Sequence, residues 1–188
     1  MTFVDITDIA KQSEFKVFKS IAEQGGVVRG ICAKSAQGVL TRSELDDLTK
    51  FVGKFGLKGM AWILVKEHNE LSSPIIKFFS PEQMHQLLQR FNAQPGDIIL
   101  FSAEKKSVVC EALGRLRLEV AKRLQIIPHD VLAFVWVTKF PMFEYDEHGH
   151  LTPKHHPFTA PEDESCTYAR AYDIVLNGIE IGGGSIRI

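Results

Sequence analysis

The sequence has no surplus of charge of either sign. It sets 22 Lys and Arg against 23 Asp and Glu in 188 residues, a formal net charge of −1. A chain whose main task is gripping nucleic acid is usually basic. Here the cations are dispersed, with Lys105-Lys106 and Lys122-Arg123 the only adjacent pairs, so most of any grip on RNA must come from elsewhere. No apolar run nears the roughly 20 residues that cross a bilayer, which excludes a spanning helix of the usual kind. The start, MTFVDITDIAKQSEFK, has no basic opening, no apolar middle and no small-residue cleavage site, and so does not read as a secretory signal. Cysteine is scarce: Cys32, Cys110 and Cys166 are widely spaced and form no CxxC pair. That argues against a disulfide framework and a cysteine zinc site, and suits a reducing compartment. A cytoplasmic location and no membrane partner are the expectations. Nor is the chain poor in hydrophobic residues, at 45% with 24% charged, which argues against disorder and allows one full core or two small ones.

What is present divides into two textures. Up to about residue 126, helix-like and strand-like patterns alternate. Thr41 and Glu44 form a plausible capping box ahead of a face of Leu45, Leu48, Val52 and Phe55. Ser80-Pro81 with Gln83 opens a second helix striped by Met84, Leu87, Leu88 and Phe91. A third is expected over about 104–124, with Val109, Leu113, Leu116, Val120 and Leu124 at helical period. Strands are expected at 26–33, 60–65, 75–79 and 97–101. These stripes read as core and carry no chemistry of their own. From about Asp130 the helical patterning stops. Leu132 to Thr138 reads as a buried strand, histidines gather in HGHLTPKHHPFT, and Asn177-Gly178 between AYDIVL and IEIGGG is a strong hairpin signal. No internal repeat is visible. The pattern still reads as strand at Ile188, which gives the expectation that this is a fragment.

The hairpin permits a geometric expectation. A two-residue turn at Asn177-Gly178 pairs Val175 with Glu180, Ile174 with Ile181 and Asp173 with Gly182. Directly opposed residues share a face, so Asp173, Val175, Glu180 and Gly182 project together. Asp173 and Glu180 become diagonal neighbours about 7–8 Å apart at the backbone. Two carboxylates suit a hard cation such as Mg²⁺, which takes one or two protein carboxylates plus substrate phosphates. Gly182-Gly183-Gly184 would leave bare backbone beside them for a ligand to lie against. Arg187 is an odd number of residues beyond Glu180, so only a β-bulge in the glycine run would bring it to the same face, and one is expected there. Arg187 could then hold a carboxylate through two parallel hydrogen bonds. Taken singly, each feature has a plainer explanation: a flexible glycine loop, a surface ion pair, a solvated acidic hairpin. Their meeting on one face beside His155 and His156 favours the functional reading.

The histidines leave alternatives open. His148, His150, His155 and His156 could supply three zinc ligands. His155 could instead contact an anionic substrate, its charge responding to physiological pH, with His148 and His150 as solvated loop residues.

At this point the strings carry a resemblance. FVWVTKFPMFEYDEHGHLTPKHHPFTAPEDE with AYDIVLNGIEIGGGSIRI resembles the bacterial-type aspartyl-tRNA synthetases, a class II family. EFKVFKSIAEQGGVVRG, TRSELDDLTKFV, KGMAWILV, IIKFFSPEQ and LGRLRLEVAKRL resemble the GAD domain inserted in those enzymes. The resemblance implies an α+β chain: a link at 1–14, a compact sheet-and-helix GAD domain at 15–127, and part of an antiparallel class II catalytic sheet at 128–188. It implies an aspartate–tRNA ligase that activates aspartate with Mg-ATP and passes it to the 3′ end of tRNA, in a homodimer. By residue-wise match, His155 and Arg187 would contact aspartate, with His156 a further candidate. Glu180 would belong to the ATP site, and Asp173 with Glu180 would hold Mg²⁺. No residue is expected to form a covalent intermediate.

The family's motif 2 arginine, its motif 3 Gly-Leu-Asp-Arg signature, its anticodon-binding barrel and the segment upstream of the GAD domain are not found in these residues. The expectation is therefore that this chain alone does not synthesise aspartyl-tRNA. Lower protection from hydrogen exchange after residue 127, or rescue by dimer contacts, is expected as well. The alternative is a free-standing GAD module that binds RNA or protein.

Overall fold

A computed structural model describes residues 1–146 and 148–188, with the side chain of Asn69 left aside. The chain is α+β and divides into two compact units, Met1–Ile127 and Pro128–Ile188.

The first unit is built on a five-stranded antiparallel sheet. Its strands are β1 (Val4–Asp5), β2 (Val27–Ala33), β3 (Ala61–Val65), β4 (Leu71–Ser72) and β5 (Ile98–Glu104), in spatial order β1-β2-β5-β3-β4. Helices α1 (Thr7–Gln12), α2 (Lys16–Glu23) and α4 (Pro81–Arg90) contribute to a core with Val28, Ile63, Ile99 and Phe101. Helices α3 (Arg42–Gly53) and α5 (Lys106–Arg123) contribute to another with Ile31, Ile98 and Leu100. Apolar layers on both faces explain why β5 reads IILF rather than alternating. Gly30 sits opposite Phe101, and a Cβ there would crowd the Leu100 carbonyl and the Phe91 ring, so glycine lets α4 close onto the sheet.

The helix signals hold with two adjustments. Ser80 and Gln83 form the full reciprocal box at α4. At α3 only half forms: Thr41 accepts from the Glu44 N–H at 3.4 Å, while the Glu44 carboxylate pairs with Arg123 and ties α3 to α5. Helix α5 begins at Lys106 because Glu104 is still paired with Val27 in the sheet.

One strand expectation in this unit is corrected. Residues 75–79 are not a strand: Ile76–Phe78 form a 3₁₀ turn, whose Phe78 stacks on Phe15 at 5.3 Å and accepts from the Glu14 N–H. A short apolar run does not by itself distinguish strand from turn. Residues 1–14, expected as a link, are structured within the first unit. They carry β1 and α1, and bury Ile6, Ile9 and Ala10 in this unit's core. Helices α1 and α2 had no recognised sequence signal.

The second unit contains β6 (Phe134–Val137), β7 (Phe140–Pro141), β8 (Phe143–Tyr145), β9 (Leu151–Pro153), β10 (Tyr168–Ala169), β11 (Ala171–Leu176) and β12 (Ile179–Ser185). They form a three-stranded sheet β12-β11-β6 and two small ribbons, β10-β7 and β8-β9, all antiparallel. Asn177 and Gly178 both adopt positive φ, 49° and 85°, as a tight hairpin turn requires. The Asn177 side chain accepts from the Ala133 N–H and donates to the Val131 carbonyl, both at 2.9 Å, fastening the approach to β6. The run expected as a buried strand is a strand but is not buried. All four residues of β6 are exposed, with Trp136 61% accessible. Among the described residues of this unit the fully buried apolar ones are Ala160 and Ala169, while Phe140, Ile174, Val175 and Leu176 are half-buried.

Candidate functional site

The hairpin register differs from the expected one by a single residue, and the difference matters for the site. Leu176 opposes Ile179 and Val175 opposes Glu180, as the turn demands. Ile174 then opposes Gly182, and Asp173 opposes Gly183, leaving Ile181 as the extra residue of a bulge. The bulge thus falls just ahead of the glycine run and not within it. It still corrects the parity. Asp173 and Val175 share a face by alternation, Glu180 shares it by opposition to Val175, and Ser185 shares it by opposition to Ala171. Arg187, two residues beyond Ser185, lines the same cleft as Asp173. Gly183, and not Gly182, is the glycine on the acidic face.

The glycine run is not a bare shelf. A Cβ at Gly183 would collide with Oδ1 of Asp173, and one at Gly184 would crowd the Tyr172 ring. Gly183 and Gly184 stay exposed, but Asp173 and Tyr172 of β11 lie close against them. The function of these glycines in the fold is to let the Asp173 carboxylate lie down across the partner strand.

Phe140, Lys154, His155, His156, Thr159 and Asp173 line an open cleft of about 350 Å³ together with Ala171, Gly184, Ser185 and Arg187. That size suits a small ligand. A ring nitrogen of His155, Nε2, lies 3.1 Å from the Pro141 carbonyl. A carbonyl only accepts, so Nε2 carries the hydrogen, and Nδ1 has no protein partner among the described residues. His156 is fixed the other way: its Nδ1 accepts from the Phe158 N–H at 3.2 Å, leaving Nε2 as the remaining ring nitrogen. Lys154 is paired with Glu144 at 2.8 Å across the β8-β9 ribbon. Arg187 donates from Nη1 to the Thr159 hydroxyl at 3.3 Å, and among the described residues it has no carboxylate within ion-pair distance.

The residues singled out from sequence therefore separate. His155, His156, Asp173 and Arg187 meet in one cleft. Glu180 shares the Asp173 face by register but is not part of the cleft wall, and it is exposed. A hard cation bridging phosphates would suit these two carboxylates as donor types. His148 and His150 lie beside Asp146, whose Oδ1 accepts both of their backbone N–H groups at 2.8 Å. No group of three or more His, Cys, Asp or Glu side chains is placed to hold a metal ion among the described residues, and the histidine zinc reading has no structural support. Thr159, Ser185 and Lys154 were not foreseen. The HHPFT string contained Thr159, but nothing in its spacing pointed to Arg187.

The second notable polar cluster lies in the first unit and is structural. Asp97, almost fully buried, accepts from the Ser35 and Gln94 N–H groups, from Lys34 Nζ and from the Cys32 thiol. Burial pushes the Cys32 thiol up to about 11, with Asp97 adding to it, so the sulfur is a protonated donor and a poor nucleophile at neutral pH.

Comparison with known proteins supplies the context for this geometry. Aspartate–tRNA(Asp/Asn) ligase of Desulfotalea psychrophila is 48% identical, with the alignment taking in 100% of this chain and 32% of that protein. The ligase of the same name from Halothermothrix orenii is 47% identical, over 100% of this chain and 33% of that protein. Aspartate–tRNA ligase of Ruminiclostridium cellulolyticum is 46% identical, over 100% and 33%. The chain spans about a third of the length of the curated relatives it matches. No helix among the described residues is long and apolar enough to cross a membrane. The family model of the GAD domain matches residues 18–113, just over half of the sequence and wholly within the first unit, and the chain belongs to the GAD domain family.

Proposed function

We propose that this chain is a portion of an aspartate–tRNA ligase, and that its second unit supplies part of the aspartate and ATP wall of a class II catalytic domain. The observation that carries the reading is Arg187: a guanidinium without an acidic partner among the described residues, sharing a small cleft with His155. The names of relatives aligned along the whole chain support it.

In this reading Arg187 receives the side-chain carboxylate of aspartate. Its fork matches two carboxylate oxygens, whereas an asparagine amide would present N–H to N–H on one side. His155, held through Nε2, contacts the bound amino acid through its other ring nitrogen. The α-carboxylate of aspartate attacks the α-phosphorus of ATP, pyrophosphate leaves, and the 3′-terminal hydroxyl of tRNA then displaces AMP from the aspartyl-adenylate. Catalysis of this kind is positioning plus charge stabilisation. Asp173 and Glu180 would hold Mg²⁺ arriving with ATP, which neutralises phosphate charge when bound. The intact protein is a cytoplasmic homodimer.

The test is calorimetric titration of the chain with a non-hydrolysable sulfamoyl analogue of aspartyl-adenylate, beside the asparaginyl analogue. The aspartyl compound is expected to bind at least about tenfold more tightly, the discrimination of one charge-assisted hydrogen bond. Equal affinity for the two, or binding of neither, would contradict the proposal.

A further inference from the structure

We propose that Thr159 is a positioning residue for Arg187, setting the guanidinium before any carboxylate arrives. The substrate side of this inference rests on the aspartate reading above.

Two sets of bonds hold Arg187. Its backbone is framed by the segment opposite: Ala160 N–H donates to the Ile186 carbonyl at 2.8 Å, Ile188 N–H donates to the Phe158 carbonyl at 3.0 Å, and Thr159 pairs with Arg187 in an isolated antiparallel bridge. Its side chain is framed by the same residue, because Nη1 donates to Thr159 Oγ1 at 3.3 Å. Thr159 is only 2% accessible, and Ser185 Oγ is 3.5 Å from the same oxygen. Its backbone N–H donates to the His156 carbonyl at 2.9 Å, so the histidine pair and the arginine are referenced to one buried residue.

The chemistry explains why a hydroxyl is needed there. A guanidinium has five N–H donors and no acceptor. Fixing one Nη1 hydrogen on an acceptor that bears no charge leaves the other donors, and the full positive charge, for a ligand. An aspartate in place of Thr159 would neutralise the fork, and a valine would leave it untethered. An arginine side chain carries much rotamer entropy. Tethering it in advance removes part of that cost from binding.

Three chains separate this role from simple packing: wild type, Thr159→Val, which keeps the shape and removes the acceptor, and Thr159→Ser, which keeps the acceptor and removes a methyl group. Thr159→Ala serves as a second deletion of the hydroxyl should valine disturb the bridge, which the Ala160 and Ile188 amide shifts would reveal. The first readout needs no ligand: rotation about the Nε–Cζ bond of Arg187, followed by NMR of the guanidinium nitrogens. It is expected to be slow in wild type and Thr159→Ser, and fast in Thr159→Val. The second is the dissociation constant for L-aspartate, expected to rise about tenfold in Thr159→Val and less than about twofold in Thr159→Ser. Unchanged rotation on loss of the hydroxyl, or a serine variant as impaired as the valine one, overturns the positioning role. If rotation responds as expected while no chain binds aspartate, the positioning role stands and the aspartate assignment of the cleft falls.

Discussion

Arg187→Gln is expected to erase the preference of this chain for an aspartyl over an asparaginyl ligand. The substitution keeps a polar side chain but shortens it and removes the charge and the paired donors. A hydrogen bond to a charged group contributes about 1.5–3 kcal/mol. Arg187 is solvent-accessible, so screening places the expected loss near the lower half of that range, about 2 kcal/mol or about thirtyfold in affinity for the aspartyl-adenylate analogue. Arg187→Lys retains the charge without the fork and is expected to fall between the two. The asparaginyl analogue should change little in either variant. Calorimetric titration of the three chains measures this. A glutamine variant that keeps the wild-type preference would remove Arg187 from the recognition account.

Asp97→Asn is expected to destabilise the first unit by about 2 kcal/mol, the scale for leaving a buried hydrogen-bonding group without its partner. The cost arises from donors more than from the ion pair. Lys34 is half exposed, so its bond to Asp97 at 2.8 Å is screened, and Lys34→Met should cost less than about 1 kcal/mol. The Ser35 and Gln94 N–H groups, by contrast, both converge on the Asp97 carboxylate, and an asparagine NH₂ would face at least one of these donors. The pH dependence follows. Burial acts to raise the Asp97 carboxyl, but the bonds from Lys34, Gln94 and Ser35 outweigh it and hold the carboxyl below its ordinary value. A carboxyl depressed by folding stabilises the native state above its unfolded value, near 4, and that stability is lost as pH falls through the folded value. Denaturant titration at pH 7 and across the acid limb checks both statements. The wild-type chain should lose stability on acidification more steeply than Asp97→Asn, and parallel acid limbs would contradict the assignment.

The two units were legible in the sequence to different depths. In the first, α4 announced itself because Ser80, Pro81 and Gln83 specify a helix start by local chemistry alone. Helix α1 did not, because its six residues give too few turns for a period to show. Residues 75–79 were misread because Ile75, Ile76, Phe78 and Phe79 reach the core from a turn, where burial has no strand alternation to report. In the second unit, Asn177-Gly178 set the register near the turn, since positive φ at both positions leaves few alternatives. The register farther along was not local information. Parity required a bulge to carry Arg187 to the acidic face, but its place at Ile181 depends on how Asp173 packs over Gly183. The exposure of β6 was hidden for a related reason: four consecutive apolar residues report an affinity for burial, and cannot say whether the surrounding chain provides it. Thr159 was missed because its partner lies 28 residues away and is brought to it by the pairing of the 158–160 segment with the end of the chain.

The direct measurement is a ¹H–¹⁵N NMR titration of the chain with L-aspartate, repeated with L-asparagine. The cleft account predicts saturable shifts centred on His155, Thr159, Ser185 and the Arg187 side chain with aspartate, and much weaker shifts at the same positions with asparagine. Shifts of equal size with both amino acids, shifts centred in residues 1–127, or none at millimolar aspartate would contradict it.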